Sequence, residues 1–203
     1  MASEDGMKTQ TGPGKKWLAP VIILAVLIVI GMIFAGQYNS LNGGRRAMEA
    51  QWSQVENVMD RQASLIPNLV AAVRGGMKHE TKVFDDIAKA RQAYSKAGTV
   101  KDKQAAGQDM NRESGVLLNV IQESYPNLQS SQQVQQLMTQ LEGSQNRVTV
   151  ERRRYIEQVR DYNTMVTGFP MNIAASLFGF HPVEEWHAPA SSMKTPSVNL
   201  DED

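Results

Sequence analysis

The chain has 203 residues, with 21 basic and 21 acidic side chains, three histidines and no cysteine. That length suits one domain with appendages. Without cysteine there are no disulfides, no thiol catalysis and no Cys-ligated zinc. A formal charge of zero argues against a nucleic-acid partner, whose phosphates call for a basic excess.

The apolar content is unevenly spread. From Trp17 to Gly36, 17 of 20 residues are apolar, and outside that block the fraction drops to about 36%, low for a compact globule. The remainder is therefore expected to bury narrow stripes.

Residues 1–14 (MASEDGMKTQTGPG) are polar and carry glycine and proline, so they read as a disordered tail. Residues 15–36 read as a transmembrane anchor, with Trp17, Leu18, Ile22, Leu24, Leu27, Ile30 and Phe34 among its lipid-facing side chains. Its apolar core makes a helix of about 30 Å, the thickness of a bilayer's hydrocarbon. No charged side chain occurs from Trp17 through Gly44, Lys15 and Lys16 precede the span, and Trp17 stands where an interfacial aromatic belongs. The competing reading is a cleaved signal peptide, whose apolar region is about 7–15 residues and ends in an A-x-A site; this run is longer and has no clean site before Gln37. Lys8, Lys15 and Lys16 on one side against Arg45 and Arg46 on the other lean towards a cytoplasmic N-terminus.

After the anchor the pattern is helical throughout. Steps of three and four from Tyr38 reach Leu41, Arg45, Met48, Trp52, Val55, Met59, Gln62, Ile66, Leu69 and Val73, the seam of a first long helix ending near Gly75-Gly76. Gly43-Gly44 near its start predicts a hinge between anchor and domain. Pro67 predicts a kink or break around Ser64 to Ile66.

A second helix carries His79, Val83, Ile87, Ala90 and Tyr94 on one side, and a third covers about 101–124 and stops at Tyr125-Pro126. A fourth, long helix carries Val134, Leu137, Leu141, Ser144, Val148, Arg152, Tyr155, Val159, Tyr162, Val166 and Phe169, and Pro170 closes it. Two long and two shorter amphipathic helices predict an all-α fold, an elongated antiparallel four-helix bundle over residues 37–186 behind the transmembrane helix.

Residues 171–186 form the most apolar stretch outside the anchor. Packing across the bundle is the plain expectation; a lipid-facing role through Phe178, Phe180 and Trp186 is the alternative. Residues 187–203 read as a disordered acidic tail.

The search for chemistry yields no catalytic and no metal-binding residues, and hence no cofactor. His79-Glu80 begins like a zinc-protease helix, but H-E-x-x-H needs a histidine where Val83 stands. Phosphate-binding glycine loops and nucleophile elbows are absent, so no small-molecule substrate is expected. Arg152, Arg153 and Arg154 fan round a helix at about 100° per residue and do not make one patch.

Several segments together resemble the LemA family of bacterial membrane proteins. They are Tyr38-Asn39-Ser40-Leu41; Trp52 with Val55; SLIPNLVAAVRGGMKHE from Ser64 to Glu80; and Ala90-Arg91. Further on come Tyr125-Pro126-Asn127-Leu128, Leu141-Glu142, VERRRYIEQVRDYN from Val150 to Asn163, and Phe169-Pro170. The most specific element is Leu65, Ile66, Pro67, Asn68, Leu69 and Val70; others are His79, Glu80, Arg91, Arg152, Tyr155, Val159 and Tyr162. Ile156 and Ser64 depart from the usual pattern.

The resemblance implies a transmembrane helix followed by an antiparallel four-helix bundle, with no established activity and with these residues in structural roles. It also implies a scaffold in the bacterial inner membrane, and it includes a magnetosome-associated branch. The expectation is therefore a non-enzymatic, single-pass membrane protein that contacts lipid through its anchor and binds a protein partner or itself. The alternatives are a membrane-shaping or lipid-binding protein and, on resemblance alone, an adaptor to a membrane protease in envelope stress.

Overall fold

A computed structural model describes residues 15–186, with side chains from residue 17 onward. The expected tails, 1–14 and 187–203, lie outside the described residues. The fold is all-α: α1 (Lys15–Val73), α2 (Thr81–Lys96), α3 (Val100–Ser124), α4 (Pro126–Gln129), α5 (Gln132–Thr167) and α6 (Met171–Phe178), with no strand among the described residues. An extended strap, residues 181–186, follows α6.

α1 is one helix of 59 residues that contains the whole apolar anchor, which is solvent-accessible on all sides in the isolated chain. It then runs without interruption through the glycine pair and through Pro67. The helix is continuous where a hinge was expected, and of the kink or break expected at Pro67 the break does not occur. At the first, Gly44 faces α5, and a Cβ there would collide with the methyl group of Met165; a close helix approach, not bending, explains why a small residue stands there. At the second, the Pro67 ring lies on the exposed side.

The buried positions of α1 are Leu41, Met48, Trp52, Val55, Met59, Gln62, Ala63, Ile66, Leu69 and Val73, so the predicted seam is right except for the added Ala63 and at its membrane end, where Tyr38 and Arg45 are exposed. On α5 the seam also holds from Val134 to Val166, with Met138 buried ahead of Leu137. Phe169 departs from it, because α5 ends at Thr167 and the chain turns through a cis Phe169–Pro170 peptide.

α1 and α5 pack antiparallel. Gly44 lies against Tyr162, Gln51 donates to Glu151 at 2.8 Å, and the Ser144 hydroxyl donates to the Val58 carbonyl at 3.3 Å. α2 and α3 form a second antiparallel pair, with Tyr94 beside Gly107 near one end and Tyr125 donating to Glu80 at the other. Thr99 begins α3 as its N-cap, accepting from the Asp102 amide at 3.1 Å while its hydroxyl bonds the Asp102 carboxylate. α2 itself begins later than expected, so His79 lies exposed in the turn before it.

The α2–α3 pair covers α1 from about Glu56 onward. Lys103 pairs with Glu56, Tyr94 donates to Asp60 at 2.8 Å, and Gln62 bonds Asn111 and Ser114 at 3.2 Å each. With 16 and 25 residues these helices are too short to follow α1 and α5 to the membrane end. There the open side of the α1–α5 pair is filled by α6 and the strap. Ala174 and Ala175 of α6 are buried against it, and Gly179 in the left-handed conformation (φ 74°) turns the chain so that the Phe180 amide reaches the Ala175 carbonyl at 2.9 Å.

Candidate functional site

The residues singled out in the sequence sit where two elements meet. Pro67 has no N–H, so the Ala63 carbonyl one turn earlier loses its helical donor. The Arg91 Nε of α2 donates to that oxygen at 2.8 Å. Around it Ile66 and Leu69 are buried, Leu65 and Val70 half-buried, and Pro67 and Asn68 exposed. At the far end of α2, the Tyr125 hydroxyl just before Pro126 donates to Glu80 at 3.0 Å. That bond chiefly, with some burial, raises the Tyr125 hydroxyl above its ordinary value. Glu80 is thus tied to the α3–α4 turn, while neighbouring His79 is exposed.

Towards the membrane the strap is held at two points. Asn163 of α5 clasps the Val183 backbone on both sides, donating to its carbonyl and accepting from its amide at 2.7 Å each. The side-chain amide thereby does what a neighbouring strand's peptide would. Three residues on, Trp186 closes an aromatic cluster with Trp52 and Tyr155, edge to face at 5.3–6.3 Å between ring centroids. Arg152 lays its guanidinium 4.7 Å over the Trp186 ring. Burial lowers the Arg152 pKa and raises that of Tyr155.

The three consecutive arginines part company, as their angular spacing requires. Arg152 goes to Trp186, Arg154 bonds Glu151 at 2.9 Å, and Arg153 is exposed. Val159 and Tyr162 lie in the α1–α5 core, and burial raises the Tyr162 hydroxyl.

Nearest the anchor, Tyr38 meets Phe178 and Phe180 edge to face at 5.1 and 5.8 Å, and Phe34 meets Phe178 at 6.5 Å. Asn39 is exposed beside them. Phe180 at 8% and Trp186 at 5% exposure lie inside the core, as the plain expectation of packing has it and against the lipid-facing alternative for these two; of the three aromatics only Phe178 is exposed. The open apolar side chains of this region are instead Phe169, Ile173 and Leu177. Phe169 and Pro170, for which the resemblance implies structural roles, are both exposed.

A cleft of about 340 Å³ opens between α3 and the strap, lined by Lys101, Gln104, Gln108, Tyr155, Glu184 and Trp186 among others. Lys101 and Glu184 pair within it at 2.8 Å. Among the described residues no three His, Cys, Asp or Glu side chains gather as metal ligands.

Two arrangements were missed by the sequence reading. Gln62, wholly buried, donates to Asn111 and to buried Ser114, whose hydroxyl in turn donates a hydrogen bond to the Met110 carbonyl at 2.7 Å. A glutamine on an apolar seam was the only signal. The Asn163 clasp on the strap was missed because HPVEEW has no periodicity to place it against a helix.

A family model described as the LemA family matches residues 51–200. The magnetosome protein MamQ of Magnetospirillum gryphiswaldense strain MSR-1 is 21% identical over 212 residues, covering 92% of this chain and 77% of its own. The matched span takes in α1 from Gln51 onward, α2 to α6 and the strap. The chain belongs to the LemA family.

Proposed function

We propose that this helical protein is a non-enzymatic, single-pass membrane scaffold whose bundle presents a surface to a protein partner or to a second copy at a set height above the bilayer. The observation that carries the reading is the continuity of α1. The helix that contains the candidate membrane span is also the central helix of the bundle core, so the anchor's position is imposed on the domain directly. The motif residues support it: Arg91 on Ala63, Glu80 with Tyr125, Asn163 on Val183 and Arg152 over Trp186 are joints between elements. Their role in this reading is to keep the bundle stiff.

In this reading the protein sits in the bacterial inner membrane with its N-terminus in the cytoplasm. The relative named for the magnetosome is in keeping with a membrane setting. Photo-crosslinking of the full chain in its native membrane, from exposed bundle positions such as Lys89 and Arg153, followed by mass spectrometry, tests the proposal. Discrete protein adducts at a consistent set of positions are expected; lipid adducts alone, or none, would overturn it.

A further inference from the structure

α6 is built inside out for a helix on a water-facing surface. Its small residues, Ala174 and Ala175, face inward and are buried against the α1–α5 pair, whereas its large apolar residues face outward. Ile173 and Leu177, four apart, stand on one face at 54% and 69% exposure, and Phe169, four residues earlier on the entering turn, is 84% exposed. No residue from Met171 to Phe180 is charged. A soluble helix carries the opposite pattern, with a polar face towards solvent.

The position of this stripe says what covers it. Phe178 touches Phe34 and Tyr38, so α6 docks on α1 at the end of the anchor's uncharged run, before the first charges at Arg45 and Arg46. Phe34, Ile173 and Leu177 line one shallow surface together with the uncharged Asn172 and Ser176. The apolar surface of the anchor, exposed as far as Ile33, therefore continues without a charged interruption onto the outer face of α6.

We propose that Phe169, Ile173 and Leu177 insert into the lipid interface beside the anchor, making α6 a second, interfacial foot that fixes the tilt and rotation of the bundle on the bilayer. This rests on the reading of residues 15–36 as a membrane anchor. A foot of this kind lies in the interfacial plane with its apolar side in the acyl boundary and its opposite side on the protein. One transmembrane helix alone leaves rotation about its own axis free; a lateral contact removes that freedom.

The absence of native cysteine makes the test direct. Nitroxide spin labels are placed in the full chain at Ile173→Cys, Leu177→Cys and, on separate protein, Phe169→Cys. Leu27→Cys serves as the anchor reference and Val150→Cys as an exposed apolar reference on α5. All are reconstituted in vesicles of phosphatidylethanolamine and phosphatidylglycerol. Collisions with lipid-soluble oxygen and with a water-soluble nickel chelate are then compared by electron paramagnetic resonance.

The expected result is an oxygen-over-nickel preference at 169, 173 and 177 that approaches that at 27, with the reverse at 150. Nickel-accessible labels on the stripe with a lipid-buried label at 27 would overturn the foot and leave the anchor standing. A nickel-accessible label at 27 would remove both. Strong dipolar broadening on the stripe would overturn the proposal in favour of a second copy of the chain as its cover. Three separate labels on one stripe keep the answer independent of any one variant that fails to fold.

Discussion

Arg91 is the residue that lets a proline sit inside a core helix. Proline in a helix interior costs about 3 kcal/mol, partly through the carbonyl it orphans. Here that carbonyl, on Ala63, takes a charge-assisted bond from the neighbouring helix. Removal of the donor by Arg91→Ala is expected to cost about 1–2 kcal/mol. In a Pro67→Ala background, where residue 67 regains its own N–H, the same change should cost much less. Denaturant titration of the four proteins of this cycle measures the coupling; equal costs in both backgrounds would show the two residues to be independent.

Tyr94 gives a second test at this scale. Its burial, and next its bond to Asp60, push its hydroxyl well above the ordinary value of 10.0. The folded state therefore holds the phenolic proton more tightly than the unfolded state. Stability from this source is complete below about pH 10 and falls as pH rises from there towards the folded value. Tyr94→Phe, with no proton to lose, should flatten the decline between about pH 9 and pH 11, seen in the denaturation midpoint. Tyr155 and Tyr162, also raised by burial, leave a residual slope.

At the scale of elements, helix existence and facing were legible because burial follows a period that side-chain types record directly. Nine of eleven positions on the α1 seam are buried, and the two exceptions, Tyr38 and Arg45, stand at the membrane end, where α2 and α3 do not reach. What a linear pattern does not record is the third dimension of a neighbour. The donor for Ala63 lies on another helix 28 residues away, so Pro67 alone reads as a kink or a break. Gly44 reads as flexible because Met165 and Tyr162, which fill the space around it, are remote in sequence. Which side chains of residues 171–186 face outward was not legible for the same reason: Phe180 and Trp186 pack inward, as the plain expectation had it, while Ile173 and Leu177 are exposed.

The glycine pair separates these explanations experimentally. Gly43 has open space around it, so Gly43→Ala should stabilise by about 0.5–1 kcal/mol through backbone entropy alone. Gly44→Ala meets the Met165 methyl group and should gain less or lose. Equal gains at both positions, in thermal or denaturant unfolding, would mean that α5 does not approach as described.

On the scale of the whole molecule, one helix links bilayer and bundle, a short helical pair closes the distal half, and α6 with its strap closes the proximal half. Closure by the strap rests on the Asn163 clasp and the Trp186 cluster. The neutral net charge of the chain reflects mixed-sign helix faces in this arrangement, with surface pairs such as Arg45–Glu49 and Arg112–Asp109 spread along it. Such exposed pairs contribute little individually; the shared core holds the fold.

In the proposed reading anchor and bundle move as one rigid body. This is tested most directly by double electron–electron resonance on the full chain in vesicles, with spin labels at Leu27→Cys in the anchor and Ser53→Cys in the bundle part of α1. An uninterrupted helix at about 1.5 Å per residue predicts a single narrow distance near 39 Å, with allowance for the labels. A broad distribution reaching to much shorter distances would place a working hinge at Gly43-Gly44 and contradict the account.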